Sequence, residues 1–137
     1  MNYIEVIDVV KDYDKHRALD HVNVSVPEGC IYGLLGPNGA GKTSLIRIIN
    51  QITNPDSGEI RLNGELLKAT DVHSMGYLPE ERGLYKKMKV ADQITYLAQL
   101  KGMPRKEIET EMNAWLDRFE LTEWRDKKVE ALSKGMA

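Results

Sequence analysis

The sequence predicts an α/β fold in which a β-rich first part carries a glycine-rich loop and a small helical part follows. Three observations predict it. Runs of β-branched residues recur up to Leu62, and the glycine-rich run from Gly36 to Thr43 separates an apolar stretch from an apolar helical one. Beyond Tyr85 the apolar residues change to helical spacing, which places a seam near residue 86, between parts 1–86 and 87–137. The chain has 137 residues, the length of one ordinary domain, and at this size folding removes roughly two-thirds of the unfolded surface. Its 19 Lys and Arg against 21 Asp and Glu leave a formal charge of −2. No long-range field therefore gathers nucleic acid or an acidic membrane, and only local patches could do so. The single cysteine, Cys30, excludes an internal disulfide, agrees with a reducing cytoplasm and reads as a small buried hydrophobe. No apolar run approaches the ~18 residues that span a bilayer.

The elements follow in order. Ile4, Val6, Ile7, Val9 and Val10 mark a strand from Tyr3 to Val10, Asp12 to Arg17 is a polar connection, and Val22, Val24 and Val26 alternate with Asn23 and Ser25 in a second strand. After the Pro27-Glu28-Gly29 turn, Cys30 to Leu35 is almost wholly apolar and reads as a strand buried on both faces. Lys42 to Gln51 carries Leu45, Ile46, Ile48 and Ile49 around most of its circumference, which suits a helix packed inside an α/β domain. Asn54 to Gly58 stops it. Glu59 to Leu62 alternates as a strand closed by the Asn63-Gly64 turn, and Met75 to Leu78 reads as another short strand before Pro79. A helix with Val90, Ile94, Leu97 and Ala98 on one stripe ends at Gly102, and Pro104 opens a last helix whose face is Ile108, Met112, Trp115, Leu116 and Phe119. Trp115 reads as core and Trp124 as half-exposed.

The run Gly36-Pro37-Asn38-Gly39-Ala40-Gly41-Lys42-Thr43 carries the chemistry. Its glycines let the backbone curl so that successive N–H groups point at phosphate oxygens. Lys42 supplies a mobile positive charge for the β- and γ-phosphates, the Thr43 hydroxyl is suited to Mg²⁺, and the helix start adds its positive dipole end. ATP with Mg²⁺ is the expected ligand. His16, His21 and His73 are scattered without metal-ligand spacing and read as surface residues, and Lys86, Lys87 and Lys89 form a short basic run, most simply a solvated face.

Gly33 to Thr43 resembles the phosphate loop of ABC-transporter ATP-binding subunits, and the likeness extends over the chain. Gly76-Tyr77-Leu78-Pro79-Glu80 resembles the family's Q-loop, and Leu132-Ser133-Lys134-Gly135-Met136 its signature motif. The resemblance implies a phosphate-loop NTPase of the ABC type, with an antiparallel β part and a partial helical subdomain. It implies that Gly36 to Ser44 hold ATP and that Tyr13 stacks on adenine. A loop tyrosine covering apolar surface is the other reading of Tyr13. Glu80 stands where the family carries Gln and would serve Mg²⁺ and the catalytic water as a carboxylate. Glu81 is the alternative, and a solvated acidic loop Glu80-Glu81-Arg82 a third reading. Ser133 and Gly135 would grip the γ-phosphate of ATP held by a second ATP-binding subunit, although Lys134 and Met136 depart from the commonest motif.

What the family carries beyond the signature motif has no counterpart in this chain: no apolar strand ends in paired acids after the phosphate loop, and there is no switch His. The expectation is the N-terminal portion of an ATP-binding subunit, one that binds ATP but turns it over poorly alone and exposes apolar edges where later strands belong. The implied function is ATP hydrolysis coupled to transport, with a transmembrane permease subunit as partner, at the cytoplasmic face of the membrane and without nucleic acid. A soluble ABC-type ATPase of translation or DNA repair, or a binding-only fragment, are the alternatives.

Overall fold

A computed structural model describes residues 1–81 and 83–137, leaving Arg82 outside the described residues. They form two compact units, Met1–Tyr77 and Leu78–Ala137. The division falls earlier than the change of periodicity near residue 86 because residues 84–90 are tied to the helical unit. Leu84 packs against the buried cluster of Val90, Ala91, Met112, Leu116 and Val129, and the N–H groups of Val129 and Glu130 donate to the carbonyls of Met88 and Lys86 at 2.9 Å each.

The first unit is built on an antiparallel sheet. β1 (Asn2–Tyr13) and β2 (His16–Pro27) form a long hairpin, β3 (Ser57–Leu62) pairs with the other edge of β1, and β4 (Glu65–Leu66) closes the order β2-β1-β3-β4. Val6 faces Val24 across one ladder and Ile60 across the other. The Asn63-Gly64 turn joins β3 to β4 with both φ angles positive, 51° and 82°, the turn whose twist matches a hairpin. α1 (Lys42–Ile49) lays Leu45 and Ile48 on the sheet, completing a core with Val6, Val9, Leu19 and Ile60. A six-residue 3₁₀ segment, Ala69–Ser74, follows.

The second unit packs α2 (Val90–Leu100) on α3 (Arg105–Arg118), which bury Val90, Ala91, Met112 and Leu116 with Val129. Short 3₁₀ turns occupy Thr122–Trp124 and Val129–Ala131. All three α-helices end in the same way. The residue after the C-cap has positive φ (Gln51 55°, Gly102 84°, Glu120 58°), and the next N–H reaches back to a carbonyl five residues earlier, which is the Schellman arrangement. No helix among the described residues is long and apolar enough to cross a membrane.

Several expectations need correction. Cys30–Leu35 forms no strand among the described residues, because no neighbouring strand offers it hydrogen bonds, and only Leu34 reaches the first core. Ile31 and Leu35 stand fully exposed, at 103% and 94%. Cys30 is accordingly exposed, its Sγ 3.1 Å from the Pro27 carbonyl, rather than buried. Met75–Leu78 is likewise irregular rather than a strand among the described residues. Trp115 is half exposed and stacks on Phe119 at 5.6 Å, because the buried ridge of α3 is Ile108, Met112 and Leu116, one position away.

Candidate functional site

The phosphate-type loop emerges from the exposed segment after β2 and ends where α1 begins. Gly41 is the N-cap of α1 with φ 94° and no side chain to cap the helix, and the first turn contains no acidic residue. The N–H groups of Lys42, Thr43 and Ser44 therefore have no intrahelical acceptor and no capping side chain. Such a helix start attracts anions through its unpaired donors and its dipole. Inside the loop, the Ala40 N–H donates to the Pro37 carbonyl at 3.1 Å, which curls the chain. Lys42 Nζ donates to the carbonyls of Gly36 and, at 2.8 Å, of Pro37, so the ammonium is held over the mouth of the curl. Thr43 is exposed and Ser44 half-buried on the first turn.

Packing fixes where this turn sits. A Cβ built on Gly41 would lie 2.3 Å from the Ala18 carbonyl oxygen and 2.9 Å from a methyl of Leu19, so only glycine lets α1 start this close to β2. Gly39, at φ 85°, has open space beside it. A loop with open space over Gly39, free helical N–H groups and an ammonium beside them fits a polyphosphate.

Tyr13, in the same unit, ends β1 at the turn and is 45% exposed, with Lys11 Nζ 5.5 Å from its ring centre. A charge network braces this end of the hairpin. Arg17 binds Asp12 and Asp20, and Asp56 accepts the Asp12 N–H at 2.6 Å and Lys11 Nζ at 3.3 Å. The Arg17 hydrogen bond holds the Asp12 carboxyl below its ordinary value, and the Asp12 N–H does the same for Asp56.

In the second unit, Glu80 and Ser133 line one open groove with Leu84, Lys86, Val129 and Leu132. Ser133 accepts the N–H groups of Met136 and Ala137 at 3.1 Å each through its carbonyl, so a helical turn starts at Ser133 and contains Gly135. Glu80 and Glu81 are both exposed. The structure thus brings the Q-loop-like and signature-like segments to one groove. Sequence reasoning missed how that groove is held. Gln93 is buried, and its Oε1 accepts the Tyr85 N–H at 2.8 Å, pinning the loop after Glu80 to α2. The available signal was a polar residue on the stripe of Val90, Ile94 and Leu97.

The family model described as ABC transporter matches residues 19–137. An uncharacterized ABC transporter ATP-binding protein of Bacillus subtilis, YhaQ, is 46% identical over 93% of this chain and 43% of its own length. Another from Methanocaldococcus jannaschii is 38% identical over 96% of this chain and 47% of its own. A solved structure described as the ATP binding subunit of an ABC transporter superposes with a TM-score of 0.84 at 29% identity, covering 98% of this chain and 57% of that one. The chain spans less than half the length of these two relatives. With its phosphate-binding loop, antiparallel sheet and helical unit matched along nearly its whole length, the chain belongs to the ABC transporter family, and its fold is part of that family's ATP-binding domain.

Proposed function

We propose that this chain is the nucleotide-holding part of an ABC transporter subunit that couples ATP binding and hydrolysis to movement of a substrate across a membrane. The observation that carries the reading is the start of α1, where uncapped N–H groups follow a glycine curl that holds the Lys42 ammonium, with Thr43 exposed on the first turn. Gly36, Pro37, Asn38, Gly39, Ala40 and Gly41 wrap the phosphates through backbone N–H groups, and Lys42 neutralises the β- and γ-phosphates. Thr43 would hold Mg²⁺ through its hydroxyl, with the Ser44 N–H and hydroxyl beside it, and the metal would supply positive charge to the phosphates.

Tyr13, 45% exposed at the hairpin end, is the aromatic that would stack on adenine. The family resemblance gives Glu80 as the carboxylate that would serve the metal and the attacking water, and Ser133 and Gly135 as the hydroxyl and helix-start N–H groups that would meet the γ-phosphate of ATP on a second subunit. Their shared groove supports one further element of the reading: what docks beside Glu80 is felt at Ser133. A transmembrane permease subunit is the expected partner around Glu80–Lys87, with the protein peripheral at the cytoplasmic face.

Two measurements test this. Calorimetric titration with ATP and Mg²⁺ should give binding that Lys42→Ala weakens at least tenfold with unchanged circular dichroism. Equal affinity in the variant would refute the role of the loop. Photo-crosslinkers at Leu84 or Tyr85 should capture a membrane protein in cells. Capture of ribosomal components or DNA alone would reject transport and favour a soluble ATPase.

A further inference from the structure

We propose that Lys11 and Asp56 are positioning residues for the nucleobase: together they seat the Tyr13 ring and fix the strand end that carries it, so that adenine stacks on the ring opposite the Lys11 ammonium. The inference rests on the reading of Tyr13 as the adenine platform and adds the groups that hold it. β3 stops short of the hairpin end. Its ladder with β1 closes at the pair Val10 and Ser57, while β1 runs on to Tyr13. Beyond that pair no third strand continues the ladder among the described residues, and Asp56 stands in for one. Its N–H donates to the Val10 carbonyl at 2.9 Å, its Oδ2 accepts the Asp12 N–H at 2.6 Å, and its Oδ1 accepts Lys11 Nζ at 3.3 Å. The Lys11 side chain is only 14% exposed, and its Nζ lies 5.5 Å from the centre of the Tyr13 ring. An ammonium at that distance is drawn to an aromatic face, so the Asp56 carboxylate holds the cation and the cation holds the ring.

The same contacts tie the aromatic to the phosphate loop. The start of α1 packs on β2 at Ala18 and Leu19, the approach that Gly41 permits, and Leu19 is the ladder partner of Lys11. Tyr13, paired with His16, stands two residues further along β1, about 7 Å at the rise of an extended strand. That spacing leaves room for a ribose between ring and phosphates. Asp56 lies on the segment that leads from α1 to β3. One carboxylate therefore joins the chain leaving the phosphate-loop helix to the strand end that bears Tyr13. Tyr13 is 45% exposed, so packing alone leaves its ring free to change rotamer. The Lys11 contact orders the ring before the base arrives, and a side chain ordered in advance loses less freedom on binding.

The test is calorimetric titration of the full-length protein, in the presence of Mg²⁺, with ATP and with inorganic tripolyphosphate, which carries the phosphates without the base. A base stacked on an aromatic contributes roughly 5- to 150-fold in affinity, so Tyr13→Ala should weaken ATP binding by a factor in that range. Lys11→Met keeps the stem, removes the ammonium and should weaken ATP binding roughly two- to fivefold. Asp56→Asn should do the same by releasing Lys11, and the double variant should lose no more than the larger single loss, because the two act as a unit. Tripolyphosphate affinity should stay at the parent's value in all of them. Lys11→Arg, whose guanidinium also stacks on aromatic faces, should hold ATP affinity near the parent's. In a Tyr13→Ala background, Lys11→Met and Asp56→Asn should have no further effect. Losses that persist in that background, or equal losses with tripolyphosphate, would make these contacts purely structural and overturn the proposal. Should Asp56→Asn fold poorly, Lys11→Met in both backgrounds decides the matter. Unchanged ATP affinity in Lys11→Met, with Tyr13→Ala weakened, refutes only this proposal. Unchanged ATP affinity in Tyr13→Ala refutes the adenine reading itself, and the proposal with it.

Discussion

Replacing Gly41 with alanine should destabilise the first unit far more than the same change at Gly39, although both are loop glycines at positive φ. Each substitution puts an L-residue into left-handed backbone, which costs about 1–2 kcal/mol. Gly39 has nothing within 4 Å of the added methyl, so that is its whole penalty. At Gly41 the methyl would lie 2.3 Å from the Ala18 carbonyl oxygen, 2.9 Å from Leu19 Cδ2 and 3.3 Å from the Ala18 carbonyl carbon. The first contact is with backbone of β2 and the second with a core residue only 4% exposed, so neither yields easily. Relieving them means shifting the start of α1 away from the sheet, an overpacking cost of about 1–3 kcal/mol more. Gly41→Ala should therefore lose about 2–5 kcal/mol against about 1–2 for Gly39→Ala. In a unit of this size each kcal/mol moves the melting midpoint by roughly 4–8 °C. Urea and thermal midpoints of the parent and both variants, measured side by side, provide the assay. Because the helix start moves, ATP affinity should fall with stability in Gly41→Ala. Equal losses in the two variants would refute the packing argument.

Other consequences follow from named contacts. Glu120 occupies the positive-φ position after the C-cap of α3 at 58°, so Glu120→Gly should stabilise the second unit by about 0.5–1 kcal/mol, and a lower denaturation midpoint would contradict that assignment. Leu116→Ala should cost about 2–5 kcal/mol because Leu116 is 4% exposed. Trp115→Ala should cost less despite the larger side chain, since Trp115 is 48% exposed, and equal losses would return Trp115 to the core. Asp12, Asp56 and Glu109 are held below their ordinary values by Arg17, by the Asp12 N–H and by Arg125 respectively. A depressed folded value adds stability above the unfolded value of about 4 and loses it as pH falls through the folded one. Urea midpoints should therefore decline on acidification below pH ~4, modestly because all three groups are exposed and screened. Asp56→Asn should flatten that decline, and an unchanged slope would disprove its share.

The phosphate loop was legible because its chemistry is local: glycine spacing, one lysine and one hydroxyl residue specify the curl whatever surrounds it. The same holds for the Asn63-Gly64 hairpin and the Gly102 helix end, where the backbone conformation is set by the residues in it. Gln93 was not legible as a tether, because its partner is the Tyr85 amide and only the packed helical unit brings the two together.

The sequence by itself therefore determined the family, the nucleotide-type loop and the helix and hairpin boundaries set by local chemistry. Tertiary structure decided what depends on a neighbour. Cys30–Leu35 has strand composition but, among the described residues, no strand beside it to share hydrogen bonds, and Ile31 and Leu35 stay exposed. Trp115 has the right spacing for the core of α3, but the ridge that meets α2 runs through Met112 and Leu116. Lys89 and Lys128 became opposing charges only because main-chain hydrogen bonds drew two distant segments together. Burial, pairing and charge proximity are properties of pairs of segments, and no single segment carries them.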